Sequence, residues 1–148
     1  MSFKNDLIQG EIAEIKLLRY LKKIDKKAFK VSGKFSDYDI SLPTINKTIE
    51  VKRDFKSTET NNFAIEFKCY DKLSGISTTK SDVFVIIDDL SYYFFNTNKL
   101  KDFLRNNWSL FKKVKGGDYN ASEMILVKKN VLIKNVKCKI LPVDNFCF

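Results

Sequence analysis

Residues 36–53, SDYDISLPTINKTIEVKR, decide the fold. Over 35–42 the chain alternates: Tyr38, Ile40 and Leu42 share one face of an extended segment, with Asp37, Asp39 and Ser41 on the other. Pro43, Thr44 and Asn46 supply a turn. Alternation resumes over 48–53, with Ile49 and Val51 on one face and Glu50 and Lys52 on the opposite one. Two antiparallel strands joined by so short a turn can set Asp39 and Glu50 on one face, with Lys52 beside Glu50.

Upstream, 4–24 has helical spacing. Asp6 and Glu11 suit its positive end. Leu7, Leu17, Leu18, Leu21 and Ile24 form one apolar flank, and Ile8, Ile12 and Ile15 a second. Glu11 and Glu14 fall within that apolar arc, where a carboxylate is costly unless paired, metal-bound or at a solvent edge. Downstream, 28–31 is a weak strand signal, 63–70 a third alternating run and 83–87 a continuous apolar run suited to a strand buried on both faces. A hairpin partner is expected at 92–95, with its aromatics Tyr92 to Phe95 in core packing. A helix capped by Asn96 or Thr97 should run to about Trp108. DKLSGISTTK and 112–117 read as loops, and 124–127, 131–133 and 138–141 as late strands. The expectation is a mixed α/β domain around one sheet.

Composition narrows the chemistry. The 148 residues carry 27 Lys+Arg against 18 Asp+Glu, a formal charge of +9, and no histidine. Histidine-based triads, histidine general bases and Cys2His2 or Cys3His zinc sites are excluded. Any enzyme here works with carboxylates, lysines, hydroxyls and a hard metal ion. The excess charge is uneven: residues 1–89 hold 16 basic and 14 acidic side chains, residues 90–148 hold 11 and 4. That separation suits a protein that holds a polyanion with one segment and a metal with another, although a lysine-rich solvated surface has the same signature. Cys69, Cys138 and Cys147 lack metal-site spacing and read as reduced, small hydrophobes. With no apolar span and no signal-like apolar stretch in MSFKNDLIQGE, the expectation is a soluble cytoplasmic protein without membrane partners.

Glu-x-Lys by itself is a weak motif: six glutamates and 24 lysines yield about one match by chance. Three occur. Glu14-Ile15-Lys16 sits on the helix, where i and i+2 do not face each other. Glu66-Phe67-Lys68 could pair with Asp54, but Asp54 lies in the polar stretch RDFKSTETNN. Glu50-Val51-Lys52 has alternating strands on both sides and is preferred; a surface ion pair is its plain alternative. Two carboxylates can hold Mg²⁺ against a phosphodiester, and a lysine can steady the charge of the transition state.

GEIAE on the first helix, then SDYDI, then TIEVK resembles the PD-(D/E)XK nuclease superfamily, most of all its Holliday-junction-resolvase-like and phage endonuclease branch. The resemblance covers about residues 8–88, with NNFAIE and SGISTTKSDVFVI similar to phage members; Tyr38 stands where the prototype has proline. It implies a restriction-endonuclease-like core, a central mixed sheet flanked by helices, over a single domain 1–148 whose basic part is about 90–148. It implies an endonuclease for DNA, acting on branched or recombination intermediates with Mg²⁺ (Mn²⁺ as substitute), in the host cytoplasm if phage-encoded, and as a homodimer. Carried over, Asp39 and Glu50 are metal ligands and Lys52 the catalytic lysine. The helical glutamate is Glu14 or Glu11, with resolvase-like spacing favouring Glu14, and Glu66 is an auxiliary that could touch the metal or hold Lys52. Thr78, Thr79 and Lys80, and separately Lys112, Lys113 and Lys115, are candidates for DNA contact, each with an ordinary surface loop as the alternative. The competing function is a non-catalytic nucleic-acid-binding protein that retains the fold.

Overall fold

The computed structural model describes residues 3–31 and 37–143, with side chains from Ile8 onward. The start of the 35–42 strand, the side chains of Asp6 and Leu7, and Cys147 lie outside the described residues. In chain order the elements are α1 (Phe3–Ile24), β1 (Phe29–Lys30), β2 (Ile40–Leu42), β3 (Lys47–Arg53), α2 (Ser57–Thr60), β4 (Asn62–Cys69), β5 (Lys72–Leu73), β6 (Val83–Ile87), β7 (Ser91–Asn96), α3 (Thr97–Asn106), β8 (Lys112–Gly116), β9 (Ser122–Lys128), α4 (Lys129–Asn135) and β10 (Cys138–Pro142).

The class is mixed α/β, with a central mixed sheet flanked by helices. That sheet has six strands in the order β1-β2-β3-β6-β7-β10. β3 and β6 are parallel, and every other neighbouring pair is antiparallel. The apolar run at β6 becomes an inner strand, as a segment without alternation should. Val85 and Ile87 face α1, packing with Leu17, Leu21, Ile49 and Val51. Phe84 and Ile86 face the other way, into a core shared with Phe63, Ile65, Leu100, Leu104 and Ile125. On α1, Leu17 and Leu21 are buried, whereas the second apolar flank, Ile8, Ile12 and Ile15, is exposed. Buried Asp25 ties the end of α1 to the β2–β3 turn, accepting from the N–H groups of Lys27 (3.0 Å) and Thr44 (2.7 Å).

The expectation of one sheet is corrected: β4 does not join the central sheet but forms a four-stranded antiparallel sheet, β5-β4-β9-β8. Its inward residues Phe63, Ile65, Ile125 and Val127 close the second core. Three local readings change with it. Residues 112–116 are a strand, not a loop, because β8 is an edge strand where lysines are tolerated and guard against stray pairing. Residues 131–133 belong to helix α4, since three apolar residues in a row carry no period. DKLSGISTTK contains β5 and a 3-10 turn at Gly75–Ser77. Gly75 is required there: its φ is +55°, and a Cβ would stand 2.3 Å from the Glu66 carbonyl oxygen. The α3 cap is as expected, with Asn96 accepting from the Lys99 N–H at 3.0 Å. Tyr92, Tyr93 and Phe95 are buried, as core packing requires, and Cys69 and Cys138 are half-buried free thiols. No helix among the described residues is long and apolar enough to cross a membrane.

Candidate active site

Pairing of Ile40 with Ile49 and Leu42 with Lys47 sets the hairpin register. Asn46 takes a left-handed φ of 53° in the turn, a conformation Asn tolerates. At its open end the ladder gives way to a side-chain arrangement. The Asp39 N–H donates to Ile49 O, Asp39 O accepts from Val31 N, and Asp39 Oδ2 accepts the Val51 N–H, each at 2.8 Å. Asp39 is thereby held beside Glu50. In the parallel ladder Glu50 lies next to Phe84 and Lys52 next to Ile86, so both project on the face opposite Ile49 and Val51. Lys52 Nζ is 3.1 Å from Glu50 Oε1.

Glu50 is 7% exposed. Burial lifts its carboxyl above the ordinary glutamate range and the charge of Asp39 adds to this, while Lys52 and a hydrogen bond from Thr79 oppose it. A buried carboxylate beside a second one is a donor set that a hard cation suits, since its charge would offset both the burial and the repulsion. Among the described residues no three carboxylates or thiols are grouped as a ready metal cage. The fit therefore rests on Asp39 and Glu50.

The helical glutamates reach the other side of Asp39. Glu11, Glu14, Lys30, Asp39 and Val51 line a cavity of about 50 Å³ between α1 and the sheet. Glu14 pairs with Lys30 Nζ at 3.0 Å, and Glu11 is exposed. One turn before Glu14, Arg53 lies across Gly10, where an added Cβ would meet its guanidinium at 2.0 Å. Lys30 and Arg53 were not singled out in the sequence, and a two-residue strand leaves no pattern that would find Lys30.

Other expected residues lie elsewhere. Glu66 is not on a strand next to Lys52, because the neighbours of β3 are β2 and β6. Its two oxygens accept from Ser122 (2.6 Å) and Ser74 (3.0 Å), so the auxiliary role is not supported by its position. The rival Asp54 set does not assemble either: Asp54 accepts the Ala64 N–H at 2.7 Å, and the ladder shifts register between Glu66 and Lys68. Thr79 is 1% exposed and unfit for direct DNA contact. Its hydroxyl lies within hydrogen-bonding reach of Asp37 O (3.0 Å) and Ser81 (3.1 Å), and it stands close enough to the Glu50 carboxylate to favour its charged form, which makes it a support for the site. Thr78 is half-buried and bonds Gly75 O at 3.4 Å, and Lys80 is exposed. Lys112, Lys113 and Lys115 are exposed on β8, with Lys113 over the Trp108 ring at 5.2 Å.

A second polar cluster escaped sequence reading. Asp54 and Asp88 follow the carboxyl ends of parallel β3 and β6, where the Asp54 N–H donates to Ile87 O at 2.7 Å. Lys129, at the start of α4, pairs with the fully buried Asp88 carboxylate, which also accepts from Tyr93 Oη at 3.1 Å and from the N–H groups of Leu90 and Ser91. Burial opposes ionisation of Asp88, but Lys129 and the backbone donors outweigh it and hold its carboxyl below the ordinary range. Burial lifts the Asp54 carboxyl instead. This cluster joins the two sheets.

No family model, curated protein or solved structure matches the chain.

Proposed function

We propose that the protein is a metal-dependent DNA endonuclease that hydrolyses phosphodiester bonds, with Asp39, Glu50 and Lys52 at its centre. The observation that supports this most is the pair Asp39 and Glu50, one oriented by the Val51 N–H and the other buried, with the Lys52 ammonium on Glu50. When bound, Mg²⁺ or Mn²⁺ would supply Lewis-acid polarisation of the phosphate and lower the pKa of water at the site. Asp39 and Glu50 would hold it. Lys52, its side chain 39% exposed, reaches outward from the same face and would donate to a phosphate oxygen as negative charge grows there. Glu11 and Glu14 both line the cavity with Asp39, and Glu14, the more buried of the two, is the helical carboxylate in the better position. Branched or recombination intermediates remain the substrates implied by the resemblance, and symmetric cutting of a branch calls for two copies of the chain.

The test is a panel of junction, flap, duplex and single-stranded DNA with Mg²⁺ or Mn²⁺. Cleavage by the wild type that disappears in Glu50→Ala and Lys52→Ala is expected; an inert wild type on every substrate rejects the reading. A second reading, a non-catalytic nucleic-acid-binding protein, draws on one observation: Glu50 and Glu14 each already have an ammonium partner, as in structural ion pairs. It expects salt-sensitive DNA binding without metal-dependent turnover.

A further inference from the structure

The face of the central sheet that carries Glu50 also carries a groove of about 230 Å³, lined by Ile76, Ser77, Lys101, Leu104, Arg105 and Trp108. Lys101 and Arg105 are one turn apart on α3 and Trp108 follows in the next turn, so the two cations and the indole make one stripe. Opposite them stands the 3-10 turn of Ile76 and Ser77. Thr79 links the groove to the proposed active site: Lys101 Nζ donates to Thr79 O at 2.6 Å, and the Thr79 side chain lies close enough to Glu50 to favour its charged form. Phe84 and Ile86, the lateral neighbours of Glu50 and Lys52, pack in the same core as Ile76 and Leu104.

The chemistry of this lining is mixed in a specific way. Lys101 is half-buried and close enough to Arg105 that burial and the second cation both hold its ammonium below the ordinary lysine range. Two adjacent cations with a desolvated member favour an anion between them. Arg105 pairs with exposed Asp102 at 3.3 Å, a solvent-screened contact that competes weakly. Half-buried Trp108 adds an apolar wall, backed by the buried Ile76 and Leu104. Phe67 sets the indole edge-on at 4.9 Å, which fixes that wall in place. In a duplex the base faces are stacked inside and cannot reach such a wall, whereas an unpaired nucleotide offers a phosphate and a free base face together.

We propose that this groove binds an unpaired nucleotide of the DNA strand, its phosphate between Lys101 and Arg105 and its base against Trp108. The inference rests on the nuclease reading for its place beside Glu50 and deepens it by naming the substrate class: DNA with a single-stranded segment.

Trp108 is the single tryptophan of the chain, so its fluorescence reports on the groove directly. The experiment is a titration of the full chain in EDTA with a twelve-residue oligothymidylate, a blunt duplex and a duplex bearing a single-stranded flap. Expected are quenching by the oligothymidylate and the flap, binding of the flap at least fivefold tighter than of the blunt duplex, and loss of that preference in Arg105→Gln. Arg105 is exposed and outside both cores, so this variant should fold; an unchanged melting temperature checks it. Equal affinity for blunt duplex and flap, or an undiminished preference in Arg105→Gln, overturns the proposal. Quenching without any cleavage by the wild type defeats the nuclease reading and leaves the groove standing. Cleavage with no quenching defeats the groove alone.

Discussion

The N–H of Val51 donates to the Asp39 carboxylate at 2.8 Å, one residue beyond Glu50 on the same strand. A ladder position ordinarily filled by a backbone carbonyl is filled by a side chain. The strand that carries Glu50 thus fixes its partner carboxylate, and the two acids approach at a cost that burial increases. Carboxyls raised by burial and by a neighbouring acid cluster at functional sites, and this supports the proposed role of the pair.

The first prediction follows from that cost. A carboxyl raised above its unfolded value contributes stability that is fully present below that value, 4.5, and is lost as pH rises through the folded pKa. Glu50→Gln removes the loss. The variant should melt above the wild type at pH 7, the gap narrowing as pH falls to about 4.5 and below, and it should cleave DNA about 100-fold or more slowly. Mg²⁺ or Mn²⁺ should raise the melting temperature of the wild type, and chelation should reverse this, with little effect on the variant. Thermal melts across pH with and without EDTA check both parts.

The helical glutamates can be separated by paired substitution. Glu14→Gln should lower cleavage by about 10-fold or more, while Glu11→Gln should leave it near wild type, because both line the cavity of Asp39 but Glu14 is half-buried there and Glu11 is exposed to solvent. Stability should barely move in either, since the Glu14–Lys30 pair has its lysine side chain 56% exposed and such pairs contribute less than about 1 kcal/mol. Initial rates on the best substrate of the panel, with melts alongside, decide it.

Lys129→Met should be among the most damaging substitutions in the chain. It leaves the fully buried Asp88 carboxylate without its cation, which costs about 3–5 kcal/mol in comparable pairs. The depressed carboxyl of Asp88 contributes stability that is present above its ordinary value of 3.8 and is lost as pH falls through its folded pKa. The difference between variant and wild type should therefore be full at pH 5 to 7 and shrink below 3.8. Urea unfolding at a series of pH values measures it.

Lys112→Ala and Lys115→Ala address the exposed lysines of β8. If that edge tracks phosphates, each should weaken binding of all DNA sequences alike and reduce the magnitude of the salt slope by about 1. Binding isotherms at several salt concentrations without metal report the slope; an unchanged slope assigns these lysines to guarding the edge strand alone.

Much of the candidate site was legible because it is local. Period-two alternation through Thr48, Ile49, Glu50, Val51 and Lys52 is a property of the strand alone, and it puts Glu50 and Lys52 on one face whatever the strand pairs with. The short turn made Asp39 the natural partner of Glu50. Helical spacing likewise revealed α1 and the cap of α3, and could have revealed the Lys101, Arg105 and Trp108 stripe had charge been read along that helix. Residues 131–133 and 112–116 misled for a local reason too: a three-residue apolar run has no period, and an edge strand needs no second buried face.

By itself, then, the sequence determined the class of the fold, the hairpin of Asp39 and Glu50, and a chemistry without histidine. The tertiary structure alone decided that β4 leaves the central sheet and takes Glu66 to Ser74 and Ser122, that Thr79 sits under Glu50 instead of facing DNA, and that Asp88 meets Lys129. The physical reason is that face and period are set by backbone geometry within a few residues. Strand partners and buried ion pairs instead depend on contacts between segments far apart in the chain, which compete through burial and pairing across the whole domain.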